Sequence, residues 1–166
     1  MTSTVAAAAP GPGPGNGAAA GASAAGPGAA AVVTAGSGAE AAALRAAGDY
    51  MRLSRSETLQ QVYPLLAADA TYTSLALGTT CAGLPAIRDM MDGFFAKFPD
   101  VAWETTSMAV VPPSEPRPGA VKVAVEFIRR WTAEDGVAQA RTGREWIHVD
   151  PGSGRIVHVH VAPLDP

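Results

Sequence analysis

From Leu84 to Phe98 the apolar residues Ile87, Met90, Met91, Phe94, Phe95 and Phe98 recur at i, i+3, i+4, i+7, i+8 and i+11. That spacing lines six large side chains along one stripe of a helix, and such a stripe must be covered. Pro99 has no amide to carry a further turn and ends the helix. The chain that follows supplies a cover of a different kind. Val101 to Val111, Val121 to Thr132, Ala138 to Val149 and Arg155 to Val161 read as strands. In the second of these, Val121, Val123, Val125 and Phe127 fall on one face and Lys122, Glu126 and Arg130 on the other. The turn Asp150-Pro-Gly-Ser-Gly154 makes a hairpin of the last two. Helices followed by an antiparallel meander predict an α+β domain in which a curved sheet wraps a long helix and leaves a closed-ended cavity.

Upstream, Ser37-Gly-Ala-Glu40 fits a capping box and predicts a helix from Glu40 to about Leu53. Leu44, Ala47 and Met51 share its stripe, with Tyr50 beside it. Ser54-Arg-Ser-Glu57 repeats the cap signal. It predicts a second helix carrying Leu59, Val62, Tyr63 and Leu66, kinked or shortened by Pro64. Asp69-Ala70-Thr71 then enters a strand. Residues 1–38 are different in kind: they contain no charged residue and half of the chain's 18 glycines. Alanine, glycine and proline cannot bury enough area to offset chain entropy. The expected organisation is a disordered tail over 1–38 and one pocket domain over 39–166.

The tail lacks a basic start, an apolar core and the arginines of a transit peptide, and no apolar run approaches a membrane span. A cytoplasmic location is the expectation, with an unusual organelle presequence as the alternative. A net charge of −3 without a basic cluster argues against a nucleic-acid partner. Cys81 is the sole cysteine; it reads as a small filler in a turn, not as a nucleophile.

Tyr50, Leu65, Asp69-Ala70-Thr71, Gly83, Ala86-Ile87-Arg88 and Phe98-Pro99-Asp100, with Gly154-Arg155-Ile156-Val157 later, together resemble the nuclear-transport-factor-2-like superfamily. Within it the chain is similar to the SnoaL-like cyclases and ketosteroid isomerases, over roughly Ala39 to Val161. The resemblance implies a cone-shaped α+β fold and a homodimer. It also implies a pocket in which Tyr50 matches an oxyanion tyrosine and Glu145 a late-strand carboxyl. A proton-shuttling aspartate of the isomerases falls on Ser74. A serine without an activating base cannot abstract a carbon-bound proton near neutral pH, so the familiar isomerase reaction is not expected.

By strand alternation, Glu145, Ile147 and Val149 point inward, and Arg144, Trp146 and His148 outward. Pairing Glu145 with Val159 places Val157, Val159 and Val161 inside, and His158 and His160 outside. The three histidines lack an acid or cysteine to complete a metal set; the outer face, with Trp146, is expected to serve a homodimer. Inside, Tyr72 and Ser74 share a wall and Met90 and Phe94 form an apolar floor. The predicted function is binding of a small hydrophobic carbonyl compound. Cofactor-free isomerase, cyclase or dehydratase chemistry would be carried by Tyr50 and Glu145. The alternative is a non-catalytic ligand-binding or dimerisation module of the same fold, and nothing points to a metal, an organic cofactor or a membrane.

Overall fold

The computed structural model describes residues 38–165. The tail expected over residues 1–38 lies outside the described residues except for Gly38, as does Ser37 of the first capping box. The first helix, α1 (Gly38–Leu53), buries Ala43, Ala47, Tyr50, Met51 and Leu53. Two fully buried alanines let its backbone approach the sheet, and Tyr50 and Met51 project beyond them. The helix closes where the Ser54 hydroxyl donates to the Tyr50 carbonyl at 2.7 Å and Thr58 to the Leu53 carbonyl at 2.7 Å. Both carbonyls also accept a backbone amide, Tyr50's from Ser54 and Leu53's from Arg55, so each hydroxyl adds a second donor at the helix end.

That closure corrects the reading of Ser54 as the start of a second helix. Its hydroxyl is engaged backwards, and Pro64 cannot donate to extend a turn. The segment shortens to two single 3₁₀ turns, Leu59–Gln61 and Tyr63–Leu65. Strands β1 (Leu66–Ser74) and β2 (Thr79–Ala82) follow as a hairpin. Cys81, expected in a turn, sits half-buried on β2 opposite Tyr72. Gly83 leads into α2 (Leu84–Lys97) at φ 83°, a left-handed conformation that a side chain would strain. Helix α2 buries Ile87, Met91 and Phe95 and leaves Met90 and Phe94 half-buried at the edge of that stripe.

Strands β3 (Ala102–Val111), β4 (Val121–Thr132), β5 (Ala138–Val149) and β6 (Ile156–Val161) complete one sheet in the order β2-β1-β6-β5-β4-β3. Its neighbours are antiparallel except β1 and β6, which run parallel. The sheet is therefore mixed, not wholly antiparallel as expected: the last strand arrives antiparallel to β5 and inserts beside the first. Helix α1 packs on β3, β4 and β5, and α2 on β1 and β2. The result is an α+β fold with the helices on one face of an open sheet.

Register decides the faces. Glu145 pairs with Val161 and Ile147 with Val159, two residues from the expected pairing of Glu145 with Val159. A shift of two leaves every side chain on its expected face, where a shift of one would reverse them all. Val157 is the exception. A bulge sets Val149 opposite Ile156, so Ile156, wholly buried, takes the inner position instead of Val157.

The outer face is also less open than expected. His148 and His158 are only 2 % and 4 % exposed, because the proline-rich loop between β3 and β4 folds across them. Glu115 and Pro116 of that loop wall a cavity with Trp146, His148, His158 and His160. Arg117 Nη2 donates to the Asp69 carbonyl at 3.4 Å and ties the loop to β1.

On the inner face Gly143 lies opposite Phe127. A Cβ placed there would stand 2.7 Å from both the Phe127 ring and Leu164. Gly143→Ala should overpack this contact and lower unfolding free energy by about 1–3 kcal/mol, measured by urea denaturation. An unchanged midpoint would show that Phe127 is free to move.

Candidate functional site

A cavity opens between the two helices and the inner face of the sheet. Tyr50 reaches it from α1, Tyr72 and Ser74 from β1, Met90 and Phe94 from α2, and Glu145 from β5. Phe95, Trp103, Phe127 and Arg129 also line it. The space that water centres can occupy is about 50 Å³, several times the roughly 10–15 Å³ that one water needs. The lining is mostly apolar with a few polar groups, the usual composition of a small-ligand site.

Alternation explains how a carboxylate enters this face. Gly143, Glu145, Ile147 and Val149 share one side of β5, and all four are buried. Glu145 is 4 % exposed, and its Oε1 has no hydrogen-bond partner. Burial raises its carboxyl from 4.5 to about 8. That corresponds to on the order of 5 kcal/mol against the charged form. At neutral pH Glu145 therefore carries a proton and can donate it.

Tyr50 and Tyr72 line the same cavity beside it. Burial is the main cause raising both phenols well above 10, and proximity to Glu145 adds to it. Each phenol carries an O–H that can donate. Ser74 is buried in the same wall, where its Oγ accepts the Leu77 amide at 3.1 Å. This bond turns the β1–β2 hairpin, and it occupies the serine with structure.

Phe94, Phe95 and Trp103 form the apolar side, with ring centroids 5.4, 6.1 and 5.7 Å apart. The reading from sequence does not include Arg129, although the alternation that turns Phe127 inward also turns Arg129 inward two residues later. Arg129 is half-buried and lines the cavity. Its guanidinium stacks 4.2 Å over the Trp131 ring, and its buried Nε has no acceptor. Among the described residues no cluster of histidine, cysteine or acidic side chains could hold a metal ion. None of the described helices is long and apolar enough to cross a membrane.

No family model matches the sequence, and no curated protein does. Solved structures match through their shape. One is a protein of unknown function from Burkholderia pseudomallei K96243, described as nuclear-transport-factor-2-like. It aligns with TM-score 0.60 at 16 % identity, over 75 % of this chain and 91 % of its own. The chain has the nuclear-transport-factor-2-like fold. A putative SnoaL-like polyketide cyclase from Shewanella putrefaciens CN-32 aligns at TM-score 0.60 and 10 % identity, over 74 % of this chain and 79 % of its own. A hypothetical protein with a ketosteroid isomerase-like fold from Catenulispora acidiphila DSM 44928, in complex with trimethylamine, aligns at 0.59 and 15 %, over 70 % and 83 %. At these identities the nuclear-transport-factor-2-like fold is what is shared, and the chemistry of the cavity has to come from its own residues.

Buried titratable groups act on stability with opposite signs. Folded, Glu145 keeps its proton up to about pH 8, against 4.5 in its ordinary state. Stability therefore falls as pH rises through that window. His148 is lowered from 6.5 to about 4, first by burial and then by His158, and burial also lowers His158. Their contribution is lost as pH falls below 6.5. Above 6.5 only Glu145 acts, so the melting temperature should decline from about pH 6.5 to 8.5. Glu145→Gln should flatten that decline in thermal melts. Equal slopes in the two proteins would mean that Glu145 is ionised throughout.

Proposed function

We propose that this cavity binds a small hydrophobic carbonyl compound and holds its oxygen between two neutral donors, a tyrosine hydroxyl and the protonated Glu145 carboxyl. The observation that carries this reading is the buried, unpartnered Glu145 Oε1 beside the Tyr50–Tyr72 pair. An unmet buried polar atom is costly unless something fills the gap, and a carbonyl oxygen accepts what these groups donate. As negative charge develops on that oxygen, donors already in place strengthen without reorganising.

The chemistry this supports is enolisation of the bound carbonyl within an isomerisation, cyclisation or dehydration, with no cofactor. In the fraction ionised near its pKa, Glu145 would take the proton from the carbon beside the carbonyl while a tyrosine hydroxyl holds the oxygen, and the carboxyl would then return that proton at another atom of the ligand. Its raised pKa suits exchange near neutral pH. Glu145 is the only carboxylate among the described lining residues. Ser74 stands where the resemblance would put a shuttling aspartate, and it is occupied by the Leu77 amide. That occupation favours a second reading: the same pocket binding its ligand without turnover. A homodimer through the outer face would use what the loop leaves uncovered, including Trp146 and the Arg144–Glu126 pair.

Thermal shift with planar phenols and with steroid-like and polyketide-like ketones tests the site. Ligands should raise the melting temperature of the wild type, and Tyr50→Phe and Glu145→Gln should each weaken binding about tenfold. Loss of product formation in Glu145→Gln, with binding retained, would assign catalysis. Binding that neither substitution alters would refute the polar pair.

A further inference from the structure

We propose that the ligand is an acid: an aromatic or fused-ring compound whose carboxylate is held by Arg129 while its carbonyl sits at Glu145. This rests on the small-molecule reading above and adds the second end of the ligand. Arg129 is half-buried, its Nε enclosed without an acceptor, and a cation drawn partly out of water gains from an anion that no carboxylate of the described residues supplies. None of the ion pairs among the described residues includes Arg129 or Arg141. Arg141 lies directly opposite Arg129 on β5. Strand alternation gives the two the same face, and like charges opposed in a sheet destabilise it.

Glu145 does not neutralise this charge. It pairs across the sheet with Val125, four residues from Arg129 along β4, about 13 Å at the strand rise of 3.3 Å per residue. Burial keeps Glu145 protonated at neutral pH, so the cavity has a half-buried guanidinium without a protein anion at one end and neutral donors at the other. Tyr72 lines the same cavity as both. Phe127 occupies the inner position between Val125 and Arg129 on β4, and Trp103 stands opposite Arg129 on β3. An elongated aromatic body suits that wall.

The geometry also suits a planar anion. Trp131 covers one face of the guanidinium at 4.2 Å. Recognition is then left to the edge that carries Nε, which addresses a planar carboxylate through two parallel hydrogen bonds.

Isothermal titration of 4-acetylbenzoate and 6-acetyl-2-naphthoate, each against its methyl ester, tests the assignment. Wild type should prefer acid over ester by about 10- to 100-fold. The acid's affinity should fall with added salt while the ester's does not. Arg129→Met should remove the preference by weakening the acid alone, and Tyr50→Phe should weaken acid and ester alike. Ester binding that responds to Tyr50→Phe, without preference for the acid, overturns the carboxylate and leaves the carbonyl site standing. An acid preference that survives in Arg129→Met also overturns it. Failure of both compounds to bind removes both readings. If Arg129→Met does not fold, the acid preference and salt response of the wild type decide.

Discussion

The unbroken pairing of β4 with β5, from Val121 opposite Val149 to Thr132 opposite Ala138, is what the rest of the molecule depends on. Twelve consecutive pairs leave no freedom for a one-residue slip, so each side chain on these two strands has a fixed face. The inner faces supply Val123, Val125, Phe127 and Ile147 to the core and Glu145 and Arg129 to the cavity. The helices then cover this surface incompletely. Buried alanines bring α1 close at one end, and the half-buried Met90 and Phe94 of α2 stand off at the other.

The cavity sits where covering fails, and its polar groups lack the partners that a structural role would provide. A core built for stability alone would replace Glu145 with an aliphatic residue, since a buried, unpaired carboxyl raises no packing benefit and holds its proton only by burial. Ser74 shows the contrast. It is equally buried, but its Oγ accepts an amide and helps to form a turn. Within one wall, a polar group that serves the fold is satisfied, and Glu145 and Arg129 are not.

Much of this was legible from residues. Alternation placed Glu145 inward, and the stripe of α2 placed Met90 and Phe94 near it, because periodicity reads faces without knowing distances. The strands from Val121 and Ala138 carry the same bounds in both readings. Ser54 misled because a serine followed three residues later by a glutamate marks a helix start, while the same hydroxyl can close the helix before it. His148 and His158 misled for another reason. A strand shows which face a residue takes, but it does not show that a loop distant in sequence covers that face.

The sequence by itself determined the α+β class, the inner and outer faces of the long strands, and the candidacy of Tyr50 and Glu145. These follow from local periods and from the chain order of elements. Tertiary structure alone decided that β6 inserts beside β1, that the proline-rich loop seals the histidines, that Tyr50 and Tyr72 line one cavity with Glu145, and that Arg129 lines it with no carboxylate of the described residues paired to it. Each of these is a distance between residues far apart in the chain, set by packing and not by pattern.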